Sequence, residues 1–248
     1  MKRYGLIGYP LGHSFSRKYF SDKFSNEGIT DCVYELFPIS SIEQLPALLQ
    51  QHPDLVGLNV TIPYKRDVLA YLTDTTQLPP ALEACNCIQI RNGNLVGHNT
   101  DVAGFRLSIA PLLKPHHVKA LILGNGGATA AVKHALHELA ISYKVVGRRA
   151  GAGVDLLYQQ VDAEVMKEHT IIINTTPLGT FPDTGACPDI PYETISESHL
   201  LFDLVYNPPV TRFMELGEAR GATVHNGYDM LVIQAEESWN IWNDLPRR

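Results

Sequence analysis

A run of apolar residues that ends in a glycine cluster constrains this chain most. Residues 118–123 are mostly apolar, as in the strands of parallel sheets, and Gly124-Asn125-Gly126-Gly127-Ala128 follow directly. Helical spacing begins near Thr129. A strand, a glycine turn and a helix in this order let a pyrophosphate approach the backbone at a helix N-terminus, which predicts dinucleotide binding. The alternative is a turn used only for packing, because Thr129 stands where the motif has its third glycine.

The end of the following strand indicates which dinucleotide the chain prefers. Val145-Val146-Gly147 leads into Arg148 and Arg149, and residues 147–153 contain no Asp or Glu. An acidic side chain at this point usually meets the free ribose 2′-hydroxyl of NAD, whereas arginine accommodates the 2′-phosphate of NADP. The two arginines therefore favour NADP; two solvated loop arginines are the alternative.

Strands and helices alternate along the rest of the chain, which predicts an α/β protein with a doubly wound parallel sheet. A hairpin is expected at Asn92-Gly93. Strands are predicted near residues 4–8, 32–37, 55–60, 87–90, 95–97, 118–123, 143–146, 170–174, 200–204 and 222–225. Helices are predicted near residues 17–27, after 40–41, and near 64–72, 102–113, 129–140 and 230–244.

Composition narrows the class of protein. The chain has 248 residues, enough for one large domain or two smaller ones, with 45% hydrophobic and 19% charged residues. Its net charge of -6 argues against nucleic-acid and membrane-surface binding. No signal peptide or membrane span is expected, and the four cysteines lack zinc-binding spacing, so we expect reduced thiols, no metal site and a cytoplasmic protein.

Several polar residues occupy positions suited to chemistry. Lys65 follows the predicted strand that ends in Asn59-Val60-Thr61, and Asp101 follows the short strand after the hairpin. A lysine ammonium beside a carboxylate can relay a proton to or from a substrate hydroxyl. An ordinary ion pair, or Asp101 as a helix N-cap, is the alternative. Ser14 and Ser16 lie two apart in a predicted loop and could bind a carboxylate, although loop serines often only form turns.

Together these residues resemble the shikimate dehydrogenase family. The resemblance runs nearly from end to end and in the family's order. Its motifs are Gly8-Tyr9-Pro10 with His13-Ser14-Phe15-Ser16, Asn59-Val60-Thr61-Ile62-Pro63-Tyr64-Lys65, Ala84-Cys85-Asn86, Asn99-Thr100-Asp101 with Gly104, Gly124–Ala128, Asn174-Thr175-Thr176-Pro177-Leu178-Gly179, Asp203-Leu204-Val205-Tyr206-Asn207-Pro208, and Gly227 with Met230-Leu231-Val232-Ile233-Gln234-Ala235.

The resemblance implies NADPH-dependent, reversible reduction of 3-dehydroshikimate to shikimate in chorismate biosynthesis. It implies a substrate-binding catalytic domain of residues 1–101, joined by a C-terminal helix of residues 228–248, and a Rossmann-like NADP domain of residues 102–227. Lys65 and Asp101 would be the catalytic pair. The implied substrate ligands are Ser14, Ser16, Thr61, Asn86, Tyr206 and Gln234. The implied cofactor contacts are Gly124, Gly126, Gly127, Ala128, Arg148, Arg149, Gly227 and Met230. Monomer and homodimer both stay open.

The chain also departs from the family. Arg17, Phe20 and Ser21 stand where the family commonly has Pro, His and Asn, which affects the shape of the first helix. Arg148 alone matches the family's arginine, so the role of Arg149 is less secure. Two alternatives remain: a quinate/shikimate dehydrogenase that uses NAD, and a non-catalytic shikimate-binding module, for which loss of Lys65 or Asp101 would have been the signature.

Overall fold

The chain folds into two compact units. The computed structural model describes residues 1–12, 14–79 and 82–246; His13 of the serine motif and residues 247–248 of the predicted C-terminal helix lie outside them. The terminal unit comprises residues 1–100 and 235–248, and the central unit comprises residues 101–234. The predicted boundaries, after residues 101 and 227, differ from this division by one residue and by seven. The functional roles of the two domains stay a prediction.

The terminal unit is built on a mixed five-stranded sheet. Its strands are β1 (Lys2–Gly8), β2 (Cys32–Pro38), β3 (Leu55–Val60), β4 (Cys87–Arg91) and β5 (Asn94–His98), in the spatial order β2-β1-β3-β4-β5. The first three strands of that order are parallel, and β4 pairs antiparallel with both β3 and β5. Asn92 and Gly93 have positive φ angles of 49° and 80°, as a tight hairpin turn requires. The predicted hairpin is therefore confirmed.

An aromatic cluster fixes the last helix on this sheet. The unit contains α1 (Phe15–Asn26) and α2 (Leu45–Gln51), and from Ala235 onward it includes α7 (Tyr228–Trp242). The Trp242 ring stacks on Tyr4 with centroids 4.9 Å apart, and Phe20 stacks on Tyr34 at 4.5 Å. A Cβ atom at Gly57 would collide with the Trp242 ring, so the strand carries no side chain there. The C-terminal part of the amphipathic tail thus packs on the terminal unit.

The central unit is built on a six-stranded parallel sheet. Its strands are β6 (Lys119–Leu123), β7 (Ser142–Gly147), β8 (Leu156–Leu157), β9 (Ile171–Asn174), β10 (Leu200–Asp203) and β11 (Thr223–His225), in the order β11-β10-β9-β6-β7-β8. The order reverses between β6 and β9, which is the topological switch point of a doubly wound sheet. The predicted doubly wound α/β fold is confirmed.

Most helices of the central unit follow the expected alternation. They are α3 (Thr100–Ile109, of which all but Thr100 is in this unit), α4 (Thr129–Glu138), α5 (Ala163–Glu168), α6 (Arg212–Glu218) and the start of α7. We had no prediction for β8, α5 or α6, which are only two to seven residues long. Such short elements carry too few residues for a clear hydrophobic period.

Two predicted helices needed correction. Residues 64–72 form a turn followed by a 3₁₀ helix over Asp67–Tyr71, not an α-helix from Tyr64. The Tyr64 side chain is buried and its hydroxyl donates to the Ile39 carbonyl at 2.8 Å, so a tertiary contact holds this turn. The helix predicted over residues 102–113 is α-helical only to Ile109 and continues as a 3₁₀ turn over Ala110–Leu112, because Pro111 cannot donate a helical hydrogen bond.

Candidate active site

A pocket of about 1010 Å³ opens in the central unit at the switch point of its sheet. The glycine turn after β6 forms one wall, and the residues after β9 form another. Gly124 has φ +110°, and a Cβ atom there would lie 2.9 Å from Thr175 Oγ1 and from Thr176 Cγ2. The turn can therefore lie this close to the β9 loop only with glycine at position 124.

Threonine hydroxyl groups fasten the glycine turn to the neighbouring strand. Thr129 Oγ1 donates to the Gly124 carbonyl at 3.1 Å and lies 3.0 Å from Thr175 Oγ1. The Thr175 backbone N–H and its hydroxyl both donate to the Leu123 carbonyl, at 3.0 and 2.9 Å. Thr129, which replaces the third glycine of the expected motif, thus has a structural use that glycine could not supply.

The N-terminus of α4, which follows the glycine turn, has no side-chain cap. Ala128 precedes the helix and cannot cap it with its side chain, and the first turn of the helix carries no acidic residue. A Cβ atom built at Gly126 or Gly127 would meet no atom within 4 Å, so the turn borders open space. Backbone N–H groups at an uncapped helix start favour an anion such as a phosphate. Gly124 and Gly126 line the pocket, whereas Gly127 and Ala128 are outside its lining.

Both predicted arginines also line this pocket. Arg148 and Arg149 follow β7 and are exposed, and Gly151, Ala152 and Val154 of the same loop complete that wall. The lining also includes four residues that we had not predicted, Tyr158, Gln159, Cys187 and Asp189. The glycine turn and the arginines therefore line one concave surface, to which the arginines contribute two guanidinium groups.

A buried carboxylate holds the loops that follow β9 and β10. Asp203 is fully buried and accepts hydrogen bonds from Asn174 Nδ2 at 2.9 Å, the Val205 N–H at 3.0 Å and Thr211 Oγ1 at 2.6 Å. Asn174 Oδ1 in turn accepts from the backbone N–H of Thr176 at 3.0 Å. Burial raises the pKa of Asp203 to about 6, and the three hydrogen bonds, which favour the ionised form, partly oppose that shift.

Other predicted residues of the central unit lie on the loop after β10 and on α7. A Cβ atom at Gly227 would collide with the Leu204 carbonyl oxygen, which explains the glycine. Met230 is buried, and its carbonyl would lie 2.8 Å from a Cβ atom at Gly104.

Gln234 Nε2 donates to the Leu231 carbonyl of its own helix at 2.9 Å. Burial raises the pKa of Tyr206, whose side chain is partly exposed. Gly227, Met230, Tyr206 and Gln234 are outside the pocket lining described above.

In the terminal unit, the two predicted serines begin α1. Ser14 precedes the helix and makes no side-chain capping bond, and Ser16 lies in its first turn; both are half-buried. Burial raises the pKa of Tyr34, and a hydrogen bond with Ser16 opposes the shift. Thr61 is also half-buried, and its backbone N–H donates to the Ile7 carbonyl at 3.0 Å.

Asn59 and Asn86 belong to a buried network of neutral polar groups. Asn59 Oδ1 accepts from the Tyr34 hydroxyl at 2.9 Å, and Asn59 Nδ2 donates to Ser238 Oγ at 2.9 Å. Asn86 Oδ1 accepts from the Thr100 N–H at 2.7 Å, and Asn86 Nδ2 donates to Thr100 Oγ1 at 3.0 Å. The hydroxyls of Thr100 and Ser238, 3.3 Å apart, connect the two amides. Tyr34 and Ser238 were not among the predicted site residues. For Ser238, the sequence offered one indication: it follows the predicted ligand Gln234 by four residues, which places both on one face of a helix.

Lys65 and Asp101 each have a neighbour of this network. The Lys65 carbonyl bonds to Cys85, which precedes Asn86, and Asp101 follows Thr100 in the chain. Lys65 is half-buried in the turn after β3, and its carbonyl accepts from the Cys85 N–H at 2.8 Å. Asp101 is the second residue of α3 and is buried, with 9% of its surface exposed. Since the Asn86 carboxamide bonds to the N–H of Thr100, the first residue of α3, it fixes where that helix begins. Asp101 is thus a first-turn residue and not the N-cap considered above.

Within residues 1–12, 14–79 and 82–246, no group of three or more His, Cys, Asp or Glu side chains is arranged to hold a metal ion. Over the same residues, no helix has both the length and the apolar character needed to cross a membrane.

The chain is similar to known proteins over almost its whole length. Residues 6–88 match the family described as the shikimate dehydrogenase substrate binding domain. The chain is 32% identical to the shikimate dehydrogenase (NADP(+)) of Caldicellulosiruptor saccharolyticus, over 99% of this chain and 93% of that protein. It is 34% identical to the enzyme of the same name from Clostridium beijerinckii, over 98% and 93%. The solved structure of shikimate 5-dehydrogenase from Thermus thermophilus in complex with NADP(H) and shikimate superposes with a TM-score of 0.86, at 30% identity, over 100% of this chain and 95% of that one.

Proposed function

The chain belongs to the shikimate dehydrogenase family, and from this premise we propose the residues with which it interconverts 3-dehydroshikimate and shikimate. The protein is an NADP-dependent oxidoreductase that reduces 3-dehydroshikimate with NADPH, reversibly, in the biosynthesis of aromatic amino acids. The similarity over 99% of the chain to a relative of this activity is the observation that carries the assignment.

The pocket of the central unit fits NADP. Two phosphate-bearing parts of the cofactor need different partners: backbone N–H groups for the pyrophosphate and a cationic side chain for the 2′-phosphate. The uncapped start of α4 beside Gly124 and Gly126 supplies the first, and Arg148 with Arg149 supplies the second. Gly127 and Ala128 belong to the same turn. We assign Gly227 and Met230 to the nicotinamide end on the family motif.

We assign proton transfer to Lys65 and Asp101. When bound, NADPH supplies a hydride to the carbonyl carbon. The carbonyl oxygen must then gain a proton, and the Lys65 ammonium is the donor we propose. In this proposal Asp101 accepts a hydrogen bond from the same hydroxyl group. The oxidation of shikimate uses the same groups in reverse. The support for this pair is the match of their motifs to the family together with the fixed start of α3 at Asn86.

We assign substrate binding to six polar residues. Ser14 and Ser16, at the start of α1, bind the carboxylate in this proposal, and the Ser14 side chain does not cap that helix. The remaining ligands in this proposal are Thr61, Asn86, Tyr206 and Gln234. Both amides also make hydrogen bonds within the protein, Asn86 to Thr100 and Gln234 to Leu231.

We also propose that the enzyme works in the cytoplasm as a monomer or a homodimer, without a nucleic-acid partner. The support is its net charge of -6, which disfavours binding to nucleic acids and to membrane surfaces. Light scattering of the purified protein at several concentrations gives the oligomeric state.

The function is tested by mixing purified protein with shikimate and following the absorbance of reduced cofactor. Rates are compared for NADP+ and NAD+, and then for shikimate and quinate. We expect rapid reduction of NADP+ by shikimate and much slower reaction with the other pairs. Faster reaction with NAD+ or quinate would instead make the protein a quinate/shikimate dehydrogenase, and binding of shikimate without turnover would make it a binding module.

A further inference from the structure

The loop that carries the two arginines is a closed, compact turn. At its base, the Asp155 N–H donates to the Val145 carbonyl at 2.9 Å, and the Val145 N–H donates to Asp155 Oδ2 at 2.7 Å. Within the loop, the Val154 side chain covers Gly147, where a Cβ atom would lie 2.8 Å from Val154 Cγ2. The Val154 N–H also donates to the Gly151 carbonyl at 3.2 Å. The base of the loop is therefore held by the sheet itself.

The tip of the same loop is bonded to the glycine turn. Asn125, between Gly124 and Gly126, donates through Nδ2 to the Ala152 carbonyl at 3.1 Å. The next residue, Gly153, has φ +76°, and a Cβ atom there would lie 3.5 Å from both Asn125 amide atoms. The asparagine side chain thus lies against the loop tip through a hydrogen bond and a van der Waals contact. Asn125, Ala152 and both arginines line the same pocket.

This bond joins two parts of the pocket that bind different parts of one ligand. The glycine turn takes the pyrophosphate, and the arginine loop takes the 2′-phosphate, which NAD lacks. The distance between these two sites has to match the cofactor, and ordering a solvent-exposed loop costs conformational entropy when the ligand binds. A side chain that fixes the loop tip beforehand reduces that cost for NADP alone.

We propose that Asn125 is a positioning residue for NADP specificity, acting through Arg148 and Arg149 by tying their loop to the phosphate-binding turn. This inference rests on the proposed NADP site. Asn125 forms its bond with the protein's own Ala152 carbonyl, so the loop tip is fixed before the cofactor arrives. A direct bond from Asn125 to the pyrophosphate makes a different prediction, because NADP and NAD share the pyrophosphate.

The test measures equilibrium binding of NADP+ and NAD+ to Asn125→Ala by titration calorimetry. Loss of one exposed hydrogen bond should raise the Kd of NADP+ about fivefold, equivalent to about 1 kcal/mol, and leave the Kd of NAD+ within about twofold. The matched control is Ser142→Ala, which removes another exposed bond from a side chain to a backbone carbonyl, here Val118, at the opposite end of β7. We expect neither Kd to change in that variant.

A double-mutant cycle tests the route through the arginines. In a protein that already carries Arg148→Ala and Arg149→Ala, adding Asn125→Ala should no longer weaken NADP+ binding. Equal weakening of NADP+ and NAD+ would overturn the proposal in favour of a direct pyrophosphate contact. Unchanged binding of both would overturn it as well. If the unsubstituted protein itself failed to bind NADP+, the proposed function would fail first, so the two failures are distinguishable.

Discussion

Both units join polar side chains at their strand ends into a buried hydrogen-bonded cluster, and the two clusters differ in charge. The buried network of the terminal unit consists of neutral groups, with Asn59 and Asn86 at its centre. The buried cluster of the central unit is built around a carboxylate, Asp203. Both clusters fix loops that carry residues of the proposed active site.

The difference follows from the hydrogen bonds that a carboxamide and a carboxylate can form. A carboxamide has both donors and acceptors, so Asn59 can bond to a tyrosine hydroxyl, a serine hydroxyl and a backbone carbonyl without any charge entering the core. An ionised carboxylate only accepts, so each partner of Asp203 has to be a donor. The first arrangement should hold its loops equally well at every pH near neutrality, and the second should respond to pH.

The largest expected effect is a loss of turnover without a loss of stability, at a residue of the terminal unit. Lys65→Met removes the proposed proton donor, and we expect turnover with shikimate and NADP+ to fall by about 10³-fold. The thermal unfolding midpoint should stay close to that of the parent. Steady-state rates and a thermal melt measure the two. Arg66→Met is the control, because the neighbouring Arg66 is exposed and pairs with the equally exposed Glu83. If Lys65→Met turned over as fast as the parent protein, Lys65 would not be the proton donor.

The neutral network is tested by Asn59→Ala. This change leaves the Tyr34 and Ser238 hydroxyls without their bonds to Asn59 in a buried site, and we expect the free energy of unfolding to fall by about 3 kcal/mol. Urea denaturation at pH 5 and pH 7 measures it, and the loss should be the same at both. The exposed Asn94 gives the control variant, Asn94→Ala, with a change of less than about 0.5 kcal/mol. A loss that differed strongly between the two pH values would contradict the expectation that the neutral network, unlike the Asp203 cluster, does not respond to pH.

The charged cluster is tested by Asp203→Asn, with an expected loss of about 2 kcal/mol because an amide NH₂ replaces one acceptor oxygen. Since burial raises the pKa of Asp203 to about 6, above its value of 3.8 in the unfolded chain, the native state binds the proton more tightly. The contribution of this carboxyl to stability is therefore greatest at low pH and declines as pH rises through 6. The loss in Asp203→Asn should be larger at pH 5 than at pH 7, by about 1 kcal/mol. The reverse order would show that the three hydrogen bonds outweigh burial.

The smallest expected effect concerns the open pocket. Arg148→Ala should raise the Kd of NADP+ about tenfold and leave that of NAD+ unchanged, because only NADP carries the 2′-phosphate. Arg149→Ala should have a smaller effect, since Arg148 is the arginine that matches the family. Calorimetric titration of both cofactors measures this. If Arg149→Ala had the larger effect, the assignment of the two arginines would be interchanged.

Sequence patterns predicted features that depend on neighbouring residues. The apolar run at 118–123, the glycine turn and the Asn92-Gly93 hairpin needed only local propensity and period, and all three were found. The Lys65 and Asp101 motifs were likewise visible as short stretches, and their catalytic role stays a prediction. The 3₁₀ turn over Asp67–Tyr71 was missed because the buried Tyr64 side chain, bonded to Ile39, overrides the helical spacing there.

The sequence by itself therefore determined the fold class, the family and the residues from which a site could be built. The tertiary structure decided which of them hold one another. Asn59 and Ser238 are 179 positions apart, and Asn125 and Ala152 are 27 apart, and nothing in either local pattern pairs them. A hydrogen bond depends on the distance and angle between two atoms, and folding sets both by packing strands and helices that are remote in the chain.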